Sequence, residues 1–288
     1  MNLLSINDLT KADVEKIFAE TKRLKKKTDG DELERKTLSL IFEKPSTRTR
    51  TSFEVAMTQL GGASIYSSPR DMQLGHGETI ADTAKVLSRY VDAIAARLFS
   101  HKTLMEIASN ATVPVINALT DLEHPCQALA DVFTLAERKN NWRKLRLAWV
   151  GDGTNVCNSL VLLCKRLGVH FTVSTPKYFK PAYDCRWVEN PKEAVRGADV
   201  ILTDTWVSMG DENEREMRLK MLSPYQVNRE LASRAKPNYV FMHCLPAHRG
   251  EEVTKDIIDG RHSIVFEEAE NRLHVQKALL NLLVNNKI

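Results

Sequence analysis

No stretch of the 288-residue chain is apolar over the roughly 20 residues that a membrane span requires. The N-terminus places acidic residues where a signal peptide needs an apolar core, so the chain is expected to stay in the cytoplasm, with no membrane partner. Cysteine is scarce. The five (Cys126, Cys157, Cys164, Cys185 and Cys244) are an odd number in a large chain without a secretion signal, which favours reduced thiols, most of them small core residues. His243 and Cys244, with His248 nearby, lack the paired-ligand spacing of structural zinc sites, and no metal is expected. An excess of one charge is missing too. The 41 basic and 37 acidic residues leave a formal +4 spread along the chain, which gives nucleic acid little purchase. The densest basic run, Lys22 to Lys27, continues an amphipathic pattern (Leu9, Val14, Ile17, Phe18) capped by Thr10 with Asp13 three residues on, and reads as a solvated helix face.

What is present is enough apolar residue, 43%, for two ordinary domains with real cores. Short apolar runs, too unbroken for half-exposed strands, alternate with helical patterns throughout. That alternation predicts an α/β protein of two domains, each a parallel sheet with helices on both faces. The first set of expected strands is Thr37 to Phe42, Ala63 to Tyr66, Ala93 to Ala96 and Pro114 to Asn117. The second is Leu145 to Val150, Val169 to Ser174, Asp199 to Thr203, Tyr239 to Met242 and Ser263 to Phe266. A helix from Pro125 to about Lys139, apolar at Leu129, Val132, Phe133 and Ala136, is expected to connect the domains, and another from Glu268 to Val284 to end the chain.

Ligands of open parallel sheets bind beyond the carboxyl ends of the strands, where loops converge and helix N-termini point. The unusual polar residues lie there. After the first strand comes Glu43-Lys-Pro-Ser-Thr-Arg-Thr-Arg50, followed by a helix marked by Phe53, Ala56, Met57 and Leu60 and stopped by Gly61. Free backbone N–H groups, three hydroxyls and a guanidinium at a helix start suit a phosphate. A lone Ser-Thr-Arg would more simply be a capped helix with surface arginines, but Arg97 and His124 end neighbouring strands and can aim at the same place.

Through Ser46-Thr-Arg-Thr-Arg50 with Thr-Ser-Phe-Glu54, and through His124-Pro-Cys-Gln127, the chain resembles the aspartate and ornithine carbamoyltransferase family over nearly its whole length. The resemblance implies a carbamoyl-phosphate domain over 1–136, an acceptor domain over 137–270, and a terminal helix, 271–288, packed back on the first. It implies that Ser46, Thr47, Arg48 and Thr49 hold the phosphate of carbamoyl phosphate, and that Arg97, His124 and Thr49 face its carbonyl oxygen. Gln127 would reach the carbamoyl nitrogen, the Cys244 to Leu245 backbone the carbamoyl group, and Arg272 would close over the donor. Gln73 would serve the neighbouring subunit of a homotrimer, or a multiple of trimers. Neither cofactor nor metal is implied.

The acceptor is read from the second-domain loops. Aspartate-specific members typically show Pro-Leu-Pro-Arg near the chain end, whereas this chain has His243-Cys-Leu-Pro246 and Asp204 with Ser208-Met-Gly210. An aspartate and a cysteine thiolate suit a positive α-amino group. The elements resemble the ornithine-specific branch, in which Asp204, Ser208 and Cys244 would hold the α-ammonium and Asn155 the amino-acid end, with Met209 beside them. Singly, Cys244 reads as packing, Asp204 as a helix cap and Asn155 as a turn residue. His248 and Arg249 would serve closure or a salt link. Two departures stand out: Thr154 occupies a place where many relatives have Asn, and Pro176 to Pro191 is short for the family. A dinucleotide fold, suggested by Gly151-Asp-Gly153, fails because Val156 replaces the third glycine and no acidic residue follows the next strand. A purely phosphate-binding module would leave Asp204 and Cys244 without a role.

Overall fold

The computed structural model describes residues 1–68, 72, 77–208 and 210–288, and the chain divides into two compact units, Met1–Ala130 with Glu270–Ile288, and Asp131–Ala269. Among the described residues no helix is long and apolar enough to cross a membrane.

In the first unit β1 (Thr37–Phe42), β2 (Ala63–Ser67), β3 (Ala93–Arg97) and β4 (Val115–Leu119) form a parallel sheet in the order β2-β1-β3-β4. Its helices are α1 (Lys11–Leu24), α2 (Thr47–Gln59), α3 (Ile80–Leu87) and α4 (His101–Asn110), followed by α5 (Pro125–Arg138), which crosses into the second unit. Strands β1, β3 and β4 are buried almost throughout, as their unbroken apolar runs require. Of the basic run, Lys22 and Arg23 are exposed on the last turn of α1 while Lys25 to Lys27 follow its end, and Thr10 and Asp13 form a reciprocal cap at the start of the helix. Strand order reverses between β1 and β3, so their carboxyl ends open a crevice. The β3–β4 register slips at Arg97, which pairs with Leu119 instead of Ala118. Such an irregularity re-aims a side chain at a strand end.

The second unit's sheet runs β7-β6-β5-β8-β9, all parallel, from β5 (Arg146–Val150), β6 (His170–Ser174), β7 (Arg186–Val188), β8 (Val200–Thr203) and β9 (Val240–His243). Here α6 (Asn155–Leu167), α7 (Pro191–Val195), α8 (Arg215–Leu222), α9 (Arg229–Ala232) and α10 (Lys255–Ile258) precede α11 (Val265–Val284), which runs into the first unit. A core of Val150, Ile201, Phe241, Val253 and Ile257 lies on one side of the sheet. The order reverses between β5 and β8, after which Gly151 and Asp204 follow.

Two expectations are corrected. Ser263 to Phe266 is not a strand: only Ser263 bridges to Phe241, and α11 begins at Val265. Burial recurs at Val265, Glu268, Arg272 and Val275 while Phe266 is 73% exposed, which is a helical period and not an alternating one. The short stretch from Pro176 to Pro191 contains an unforeseen edge strand, β7, whose three residues carry too little pattern to be read without their partner β6.

Candidate active site

In the first unit Ser46 caps α2 and accepts a hydrogen bond from the Thr49 N–H at 3.2 Å, leaving Thr47 and Arg48 in the first turn. Gly61 follows the helix with φ +81°, and a side chain there would strike the Gly30 carbonyl at 2.8 Å. Thr49 is fully buried, and its hydroxyl accepts from an Arg272 guanidinium nitrogen at 2.5 Å, although the two are far apart in the chain. Arg97, His124, Gln127 and Arg272 are all buried in the same unit.

These groups act on one another. Burial depresses the His124 pKa well below the usual imidazole value, and the charges of Arg272 and then Arg97 push it further the same way. His124 is therefore a neutral imidazole at physiological pH. Concentrating two buried guanidiniums beside a helix start gives this region a strong preference for an anion.

The loops are braced by residues that the sequence reading quoted without giving them a role. Glu43 takes the Phe99 N–H at 2.9 Å, and its own N–H bonds the Arg97 carbonyl at 2.9 Å. Lys44, 7% exposed, pairs with Asp121 at 2.5 Å and lies 4.3 Å from the Phe99 ring centre. Gln73, like Met209, lies outside the described residues.

In the second unit Gly151 has φ +126°, and a Cβ there would sit 3.2 Å from the Thr203 hydroxyl; one on Gly153 would sit 2.5 Å from the Phe179 carbonyl. Their own chain's close approach accounts for both glycines. Asn155 opens α6, and Ser208 is half-buried. Asp204 Oδ1 accepts from the Thr205 N–H at 2.7 Å and from the Cys244 thiol at 3.0 Å. Burial, and next the Asp204 carboxylate, raise the Cys244 pKa well above the usual thiol value. Of the thiol and thiolate forms that the sequence leaves open, this environment holds the neutral thiol, which donates to Asp204. Asp204 follows β8 and, among the described residues, caps no helix.

Next to Cys244, the Leu245 N–H donates to His243 Nδ1 at 2.9 Å, which makes that nitrogen the acceptor of the ring. Nε2 therefore carries the proton, toward Glu252 at 3.2 Å. Asp204, His243 and Cys244 offer ligand atoms within 4.8 Å of one another, but both His243 nitrogens are engaged. Arg249 forms a salt link to Asp259 at 2.6 Å.

Sequence reading also missed Arg218, which reads as solvated helix face yet is mostly buried. It binds Asp152 at 2.6 Å, Asp211 at 3.3 Å and Glu214 at 3.0 Å, tying the turn after β5 to the loop after β8. Asp152 is pushed up to about 7, chiefly by burial, with Arg218 opposing and Asp211 and Asp204 reinforcing. Its folded pKa exceeds the unfolded one, so the folded state holds the extra proton between the ordinary carboxylate value and about 7. Stability from this group is present at low pH and declines as pH rises through that window. Asp152→Asn should flatten this part of the pH dependence, as measured by urea unfolding from about pH 4.5 to 7.5; an unchanged slope would locate the proton elsewhere.

Parallel sheets, with buried guanidiniums beside a helix start in one unit and an acid–thiol pair in the other, define an α/β protein whose first unit suits a phosphorylated ligand. The family model described as "Aspartate/ornithine carbamoyltransferase, carbamoyl-P binding domain" matches residues 1–137, and the corresponding "Asp/Orn binding domain" model matches 143–283. The chain belongs to the aspartate/ornithine carbamoyltransferase family. It is 51% identical to the ornithine carbamoyltransferase of Carboxydothermus hydrogenoformans over 98% of this chain and 97% of that one. With the Archaeoglobus fulgidus ornithine carbamoyltransferase it shares 50% identity over 99% and 98%. The solved structure of the Pyrococcus furiosus ornithine carbamoyltransferase superposes with a TM-score of 0.94 at 49% identity, covering 100% of this chain and 97% of that chain.

Proposed function

We propose that this chain transfers the carbamoyl group of carbamoyl phosphate to the side-chain amine of L-ornithine, releasing L-citrulline and phosphate, in arginine metabolism. The observation that carries the reading is the buried set of Thr49, Arg97, His124 and Arg272 in the unit whose α2 begins at the Ser46 cap. Ser46, Thr47, Arg48 and Thr49 bind the donor's phosphate, and Arg272 closes over the donor. As the amine attacks the carbonyl carbon, negative charge grows on the carbonyl oxygen, where Arg97, Thr49 and neutral His124 donate. Gln127 reaches the carbamoyl nitrogen, and the Cys244–Leu245 backbone holds the carbamoyl group. The tetrahedral intermediate collapses with loss of phosphate, which can accept the amine's proton, so the transfer is direct and requires no cofactor.

The ornithine reading is supported by the 3.0 Å bond between Cys244 and Asp204, an anionic and neutral-polar pairing suited to an α-ammonium and not to a second carboxylate. Ser208 and Met209 complete that head-group site, and Asn155 takes the amino-acid end. Citrulline-type product formation with ornithine, putrescine, lysine and aspartate side by side tests the assignment: ornithine should be strongly preferred, and preference for aspartate would overturn it. The attacking amine must be neutral, so kcat/KM for ornithine should climb through alkaline pH toward the amine's pKa of roughly 10. A flat profile from neutrality to about pH 9 would contradict rate-limiting amine attack.

The enzyme works in the cytoplasm as a homotrimer, with Gln73 reaching the neighbouring subunit's phosphate. Mixing inactive Gln73→Ala and Arg48→Ala proteins under subunit exchange should return activity to roughly a quarter of the wild-type value, the fraction of sites that random pairing leaves intact. No recovery despite demonstrated exchange would place Gln73 on its own subunit.

A further inference from the structure

A turn in the second unit brings His248, Glu251 and Glu252 together. The Glu251 N–H donates to the His248 carbonyl at 2.9 Å, and the Gly250 N–H to the Val253 carbonyl at 2.8 Å. The Gln226 amide donates to the Gly250 and Glu251 carbonyls at 2.9 and 2.8 Å, so the turn is pinned from outside as well. One imidazole nitrogen and two carboxylate oxygens result, all within 4.8 Å of one another. His248 Nδ1 lies 3.8 Å from Glu252 Oε2. That is long for a hydrogen bond but close to the roughly 3.4 Å between two donors on a tetrahedral ion with bonds of about 2.1 Å.

Glu252 points to a ligand. Its side chain is fully buried, and Oε1 serves both the His243 ring at 3.2 Å and the His248 N–H at 2.5 Å. Oε2, buried as well, has no hydrogen-bond partner among the described residues, and neither does Glu251 Oε2, whose sister oxygen pairs with Arg215. A buried carboxylate oxygen without a donor is costly, and a cation is the remedy that its neighbours are built to share. The His248 side chain is 45% exposed, which leaves an entry path.

We propose that His248, Glu251 and Glu252 form a binding site for a divalent first-row transition-metal ion. One imidazole and two carboxylates suit such ions, whereas the thiol spacing considered from sequence concerns a different ligand set. The ion would share Glu252 with His243, whose Nδ1 holds the Leu245 N–H, so occupancy bears on the loop carrying Cys244.

The test uses the full-length protein, stripped with a chelator, titrated with Zn²⁺ by calorimetry and with Co²⁺ by absorption spectroscopy. One saturable ion per chain is expected, with cobalt d–d bands and no thiolate-to-cobalt charge-transfer band. His248→Ala and Glu251→Gln should each weaken Zn²⁺ binding roughly 10-fold or more, with metal-free thermal unfolding unchanged, while Cys244→Ser leaves binding intact. Equal binding by the His248→Ala/Glu251→Gln double variant, no saturable binding by wild type, or a charge-transfer band that disappears in Cys244→Ser would each overturn the site.

Discussion

Arg97→Ala is expected to lower kcat by about 10²- to 10³-fold while leaving the KM for carbamoyl phosphate nearly unchanged. The guanidinium is held at a register slip ending β3, 7% exposed, and its backbone carbonyl is tied to the Glu43 N–H. A fixed positive donor in a desolvated place gains most when the carbonyl oxygen becomes an oxyanion, so its loss raises the barrier more than it weakens ground-state binding. Arg48→Ala should behave in the opposite sense. Arg48 belongs to the first turn of α2 and is assigned only the phosphate, whose charge changes little before the transition state. Its main effect should be on the KM for carbamoyl phosphate. A second readout separates chemistry from mere loss of packing. Arg97 helps depress the His124 pKa, so in Arg97→Ala the imidazole should titrate closer to its ordinary value, visible by NMR. Near-normal kcat, or His124 unmoved, would remove Arg97 from the site.

Asp204→Asn should raise the KM for ornithine roughly 10- to 100-fold, the usual worth of a hydrogen bond to a charged group, with little change for carbamoyl phosphate. Asparagine keeps the shape and can still accept from Thr205, so the fold should survive. The charge is what is lost. With it goes one of the two main causes of the elevated Cys244 pKa, the other being burial, and the thiol should ionise at lower pH. Alkylation of Cys244 across a pH series reads that shift directly. Equal KM changes for both substrates, or a thiol titration identical to wild type, would mean that Asp204 is a structural residue and not the receptor of the α-ammonium.

Arg272 and Arg218 mark the boundary of what could be read in advance. Arg272 drew attention only through the family's motif order. That it meets Thr49 and bears on His124 depends on α11 returning to the first unit, which no local pattern of Glu270 to His274 announces. Arg218 sits among charged neighbours that look like a solvated helix, and its burial against Asp152 follows from where α8 packs. Glu252 reads as one more surface acid in Arg249-Gly-Glu-Glu252, yet it is fully enclosed.

By itself the sequence determined the α/β architecture, most strand positions, and the placement of Ser46 to Thr49, Arg97 and His124 in one unit and of Asp204 and Cys244 in the other beyond or at strand ends, because these follow from local periodicity and from parallel strands sharing one direction. Tertiary structure alone decided that β7 exists, that α11 starts at Val265, that His124 is neutral and that Cys244 is a thiol. A three-residue edge strand is defined by the partner it pairs with. Protonation is decided by burial and by charges brought close from distant parts of the chain, and neither quantity is local.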